Sequence, residues 1–136
     1  MYLRSRCSKI KLVITDVDGV LTDGGMYYSN KGDIMKRFFV RDGMGVTLLR
    51  RKNIPTLIIT KEETEMTRQW AKKMKIAMLY EGISQKESIL NEICKKFGVK
   101  TNEISYIGDD VNDISDRKST RLNSSHVSES RMPSSA

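Results

Sequence analysis

Most of the chain alternates between short runs that are apolar throughout and longer stretches in which apolar residues recur every three or four positions. The runs KLVIT (residues 11–15) and PTLIIT (55–60) are rich in β-branched residues and bounded by turn formers. They predict parallel strands buried on both faces. AMLYEG (77–82) and EISYIGDD (103–110) predict a third and a fourth strand. Between the runs lie helical patterns. One follows Asp42 as a candidate cap, with Val46, Leu48 and Leu49 leading to Lys52. EETEMTRQWAKKMKI (62–76) places Met66, Trp70 and Met74 at four-residue spacing, a stripe that reads as core packing. SQKESILNEICKKFGV (84–99) puts Ile89, Ile93 and Phe97 on one face, with Ser84 as a candidate cap and Gly98 as terminator. GMYYSNKGDIMKRFFV (25–40) predicts a hairpin with arms at 26–29 and 34–40 and a turn at Asn-Lys-Gly. Strands alternating with helices predict an α/β domain with a parallel sheet.

The pattern stops near residue 116. Residues 117–136 hold seven serines and no apolar period, so they predict a disordered tail. This tail resembles sequence produced by adapter read-through and reads as foreign. It contains the sole histidine, His126, which is given no catalytic role. The expected organisation is therefore an N-terminal extension at 1–8, one domain at 9–116 and the tail.

Composition narrows the class. The 136 residues suit one domain, and the apolar and charged shares of 38% and 30% suit a packed core. No apolar run approaches the ~18 residues of a membrane span. The formal charge of +7 falls to +4 without the tail, which carries four basic residues and one acid. The remaining basic residues occur as scattered pairs without interleaved aromatics, so they read as solvated helix faces rather than a nucleic-acid surface. Two distant cysteines, Cys7 and Cys94, form neither a disulfide framework nor a zinc spacing, and a reducing cytoplasm is the expected compartment.

The chemistry lies at the strand ends, where ligands bind in parallel sheets. Asp16 and Asp18 follow the first strand, Thr60 the second, and Asp109, Asp110 and Asp113 the fourth. So many converging acids are costly without a cation, and their hard oxygens suit Mg²⁺. A carboxylate beside a metal and a lysine can carry phosphoryl transfer. Asp16 is placed as nucleophile and Asp18 as acid and base. Thr60 would hydrogen-bond a phosphoryl oxygen, and Lys86 would supply positive charge. Asp23 is assigned to the turn into the hairpin.

DVDGVLTDG, Thr60, Lys86 and YIGDDVND, in that order, resemble the four motifs of the haloacid dehalogenase superfamily. The hairpin and FFVRDGMGV (38–46) are similar to its capless branch, which contains 3-deoxy-manno-octulosonate 8-phosphate phosphatase. The resemblance covers residues 9–113. It implies a Rossmann-like three-layer sandwich with a β-hairpin insertion and no cap domain. It implies Mg²⁺ held by Asp16, the Asp18 carbonyl and Asp109, supported by Asp110 and Asp113. It also implies sugar-acid contacts from Phe39, Val40, Arg41, Asp42 and Gly43, and a cytoplasmic homotetramer joined through the hairpins. The branch's last strand, last helix and C-terminal segment have no counterpart, so the domain is expected to be incomplete.

The motif at Thr60 reads TKEE, whereas the eight-carbon enzymes carry Thr-Gly-Arg. Glu62 and Lys73 match positions found in enzymes of nine-carbon acids, which makes a nonulosonate 9-phosphate the alternative substrate. Two other readings compete. A response-regulator receiver uses similar residues, but in a different order along the chain. An idle oligomerisation domain related to acylneuraminate cytidylyltransferases would not need the intact Asp16, Asp18, Lys86 and Asp109.

Overall fold

The computed structural model describes residues 2–108. The expectations for Asp109, Asp110, Asp113 and residues 117–136 lie outside the described residues. In chain order the elements are α1 (Tyr2–Cys7), β1 (Leu12–Thr15), β2 (Tyr27–Ser29), β3 (Gly32–Met35), α2 (Val40–Arg51), β4 (Thr56–Ile59), α3 (Glu65–Lys73), β5 (Met78–Tyr80), α4 (Glu87–Phe97) and β6 (Ile104–Ile107). A 3₁₀ turn at Thr101–Glu103 leads into β6.

The four apolar runs form one sheet in the order β5-β4-β1-β6, and every pairing is parallel. β2 and β3 form a separate antiparallel hairpin. The chain runs from β1 to β4 and β5 on one side, then returns to pair β6 on the other. β1 thus lies at the reversal of strand order, where the crevice of such a sheet opens.

Alternation along the strands sorts the core into two layers. Leu12, Ile14, Leu57, Ile59, Ile104 and Tyr106 pack with Ile89, Leu90 and Ile93 of α4. On the opposite face Val17, Leu21 and Ile58 pack with Ala71 of α3 and with Phe38, Trp70, Ile76 and Leu79. Helices on both faces of a parallel sheet give the expected three-layer α/β architecture. Among the described residues no helix is long and apolar enough to cross a membrane.

The predicted stripe on α3 is only partly realised: Met66 and Met74 belong to neither core layer, and the buried residues of the helix are Thr67 and Ala71. Trp70 joins the second core layer. The Met74 sulfur lies 2.6 Å from where a Cβ on Gly43 would sit, so α2 approaches α3 closely because residue 43 is glycine. Thr64 caps α3 by accepting the Thr67 N–H at 3.3 Å. Gly98 ends α4 in the left-handed region, with φ of 64°, as a terminator should.

Three local expectations are corrected. The second hairpin arm ends at Met35 rather than running to residue 40, because Phe39 turns the chain into α2. Asp42 does not cap that helix. It lies inside its first turn, where a carboxylate favours the helix dipole. Ser84 does not cap α4. The helix starts after Lys86, whose backbone is already helical and whose side chain is turned inward. Residues 2–7, expected only as an extension, form a short helix with no buried residue.

Candidate active site

Asp16 leaves β1 without leaving the sheet. Its N–H donates to the Ile107 carbonyl at 3.0 Å, extending the β1–β6 ladder by one bond. The Thr15 hydroxyl donates to the Asp16 carbonyl at 2.9 Å, and the Val17 N–H donates to Oδ1 of the Asp16 carboxylate at 2.8 Å. One carboxylate oxygen is thereby fixed by backbone. The other, Oδ2, lies 3.3 Å from the Lys86 ammonium. Both side chains are almost wholly buried, at 10% and 5% exposure. Charges so buried need partners, and this contact supplies one to each. The ammonium also sits 5.8 Å from the Tyr106 ring centre, on the face favourable for a cation.

Thr60 follows β4 and is buried. Its N–H donates to the Tyr80 carbonyl at 2.9 Å, and its carbonyl accepts from Ile83 at 3.0 Å, so the strand end is held from both sides. Its hydroxyl accepts the Glu62 N–H at 3.3 Å. Asp16, Asp18, Thr60, Lys61, Glu62 and Lys86 line one cleft of about 220 Å³, together with Ser84 and the Gly24–Met26 corner of the loop. At roughly 30 Å³ per water this volume admits a phosphate-sized anion and some of its hydration shell.

The loop from Asp18 to the hairpin is closed by Thr22. The buried Thr22 hydroxyl accepts the N–H of Gly19 at 3.3 Å and of Gly24 at 3.2 Å. Both glycines have φ of 81°, which a side chain would strain. Asp23 takes up the next turn, where Oδ1 accepts the Gly25 N–H at 2.9 Å, as the sequence reading assigned it.

Asp18 is placed differently from Asp16. Its side chain is 34% exposed, and Oδ1 accepts a 2.6 Å hydrogen bond from the Lys36 ammonium. The Lys36 side chain is only 1% exposed. Sequence reasoning gave Lys36 no role. Its direction follows from the fold: Phe38 pairs as an extended bridge with Thr22, and residues two apart on an extended segment face the same side. Phe38 faces inward and stacks on Trp70 with centroids 5.1 Å apart, so Lys36 faces inward as well.

Of the remaining candidates, all but Glu62 fall outside this cleft. Arg41 and Asp42 line a second, more apolar cleft with Leu21, Val46, Leu49 and Thr56. Burial there pushes the Asp42 carboxyl above the usual range. Phe39 and Val40 lie at the start of α2, where Val40 is almost fully exposed, and Gly43 is buried against Met74. Glu62 lines the Asp16 cleft, while Lys73 is exposed at the end of α3.

Among the described residues no three acidic, histidine or cysteine side chains come together in a group that could hold a metal ion. Asp16 and Asp18 contribute two carboxylates at one strand end, and the third expected ligand, Asp109, lies outside the described residues. The donor set that is present consists of hard oxygens and fits a small divalent cation.

No family model matches the chain. It is 35% identical over 112 residues to the 3-deoxy-D-manno-octulosonate 8-phosphate phosphatase KdsC of Haemophilus influenzae, an alignment covering 82% of this chain and 62% of that protein. The chain spans about 60% of the length of the curated relatives it matches. The cobalt-bound structure of the Haemophilus influenzae deoxy-D-mannose-octulosonate 8-phosphate phosphatase superposes with a TM-score of 0.83 at 33% identity, covering 87% of this chain and 69% of that one. The Moraxella catarrhalis 3-deoxy-D-manno-octulosonate 8-phosphate phosphatase, solved with a magnesium ion, a phosphate ion and KDO, gives the same TM-score and identity over 88% and 68%.

Proposed function

The chain belongs to the 3-deoxy-D-manno-octulosonate 8-phosphate phosphatase family of haloacid dehalogenase hydrolases, and we propose that it is a Mg²⁺-dependent phosphatase of a sugar-acid phosphate. The observation that carries this reading is the buried Asp16–Lys86 pair at the floor of a cleft shared with Asp18 and Thr60. An oxygen nucleophile, a cation for the phosphoryl oxygens, a hydroxyl and a second carboxylate are the parts that stepwise phosphoryl transfer requires.

In this mechanism the phosphoryl group enters with its oxygens toward Lys86 and Thr60. Asp16 attacks phosphorus, the bond to the sugar oxygen breaks, and Asp18 gives that oxygen a proton. Asp18 then takes a proton from a water that attacks the aspartyl phosphate, releasing phosphate and restoring Asp16. Mg²⁺, held by Asp16, the Asp18 carbonyl and Asp109 with support from Asp110 and Asp113, would neutralise the phosphoryl charge.

The eight-carbon acid is the favoured substrate because the relatives at 33–35% identity are named for it. Glu62, the residue that suggested a nine-carbon acid, does line the cleft, but its companion Lys73 does not. The hairpin supports the reading of a homotetramer. Met26, Tyr27, Tyr28, Ile34 and Met35 are each 51–63% exposed, and large apolar residues so exposed on one hairpin favour an interface there. The free thiols Cys7 and Cys94 are in keeping with a cytoplasmic location.

The test is a phosphate-release screen over eight- and nine-carbon ulosonate phosphates with Mg²⁺. Turnover should be highest on 3-deoxy-manno-octulosonate 8-phosphate and absent in Asp16→Asn, whose amide cannot attack phosphorus. Full turnover in that variant would overturn the mechanism.

A further inference from the structure

We propose that Lys36 is a positioning residue for the proton-transfer step: it holds one oxygen of Asp18 so that the other faces the cleft. The inference rests on the reading of Asp18 as acid and base. The Lys36 ammonium lies 2.6 Å from Oδ1 of Asp18, and among the described residues Oδ2 has no partner. Asp18 lines the cleft, but Lys36 does not. With its side chain 1% exposed, the lysine sits behind the carboxylate rather than beside the phosphoryl site. Lys86 and Lys61 are the cations that face the cleft.

An aspartate one-third exposed and followed by glycine has rotamers to choose from, and a buried ammonium has little freedom to follow it. The ammonium is desolvated and needs its partner, so the partner is held where the ammonium is. Lys36 is itself fixed from two sides. The Thr22–Phe38 bridge ties its segment to the loop that carries Asp18. Phe38 stacks on Trp70, which ties the same segment to α3. The Trp70–Phe38 stack, the backbone from Phe38 to Lys36 and the Lys36–Asp18 bond therefore link a core helix to the proton-handling carboxylate. Because only Oδ1 is engaged, Oδ2 can give and take a proton without breaking that link.

Lys36→Met keeps the length of the side chain and removes the ammonium. On the 136-residue chain it should lower kcat by about 10- to 100-fold, the size of a misaligned general acid. KM should stay within about threefold, because the residue does not touch the substrate. Lys36→Arg should recover most of kcat. Mg²⁺ affinity by calorimetry and the melting temperature should remain close to wild type. Wild-type kcat in Lys36→Met, or a loss expressed in KM alone, would overturn the proposal while leaving the phosphatase reading intact.

Amine acetylation read by mass spectrometry decides the case without turnover. Lys36 should react far more slowly than exposed Lys11 and become reactive in Asp18→Ala. Equal reactivity of Lys36 in both proteins would overturn the proposal, even if the chain released no phosphate and the phosphatase reading had itself failed. The same labelling serves should Lys36→Met not fold.

Discussion

The Lys86 ammonium and the Asp16 carboxylate meet 3.3 Å apart, each almost completely removed from water. Such a pair adds little net stability over an apolar one, but losing one member takes a close countercharge from the other in a buried setting. Lys86→Met and Asp16→Asn should each destabilise the chain by about 3 kcal/mol. The double variant should cost less than the two together, with a coupling above about 1 kcal/mol. Urea unfolding of the four proteins checks this, and simple additivity would show that the two charges do not depend on each other.

Trp70 is expected to act at a distance. Trp70→Ala removes the ring under Phe38 and should cost about 2 kcal/mol, less than a fully buried tryptophan because its side chain is only partly enclosed. It should also lower kcat through the loosened Lys36 segment, whereas Trp70→Phe keeps a stacking partner and should keep most of both. Stability loss in Trp70→Ala without any change in kcat would sever the link between the stack and the site.

The hairpin surface predicts assembly. Tyr28→Glu with Ile34→Glu places charge among exposed apolar hairpin residues and should shift the proposed tetramer to smaller species by light scattering. The folded monomer should be little affected, since exposed positions usually move stability by less than about 0.5 kcal/mol. An unchanged mass would place the interface elsewhere.

The Lys11 ammonium at 2.7 Å from Glu103 holds that carboxyl below the usual glutamate range, helped by the Lys100 N–H at 2.9 Å. A carboxyl with a lowered folded-state pKa stabilises the fold above its unfolded value, and the gain is lost as pH falls through the folded value. Glu103→Gln should therefore melt below wild type at pH 7, and the difference should close as pH drops below about 4. A gap that persists in acid would show that the contact acts through packing rather than charge.

Much of this architecture is legible in the sequence because it depends on burial. Runs such as LVIT and TLII carry no charge and only a terminal threonine as a polar position, so they read as interior strands, and their C-terminal ends mark the crevice. Asp16, Thr60 and Lys86 come together because the parallel sheet brings those ends side by side. The helix starts were less legible. Asp42 and Ser84 have capping chemistry, yet the chain enters α2 one turn earlier and α4 two residues later, because tertiary contacts outweigh a local hydrogen bond worth about 1 kcal/mol. Lys36 was hidden for a related reason. A lysine among apolar hairpin residues reads as a solvated edge until the Phe38–Trp70 stack fixes which way the segment faces.

The ladder bond from Asp16 to Ile107 separates two kinds of change. Asp16, the proposed nucleophile, stands on a strand end tied into the sheet ladder, while Glu62, Ser84 and the Gly24–Met26 corner reach the same cleft from loops. Loops can lengthen or exchange side chains without shifting the strand end beneath them. Under the proposed function, a lineage built this way can change its substrate through substitutions at the rim, with the Asp16 strand end left in register throughout.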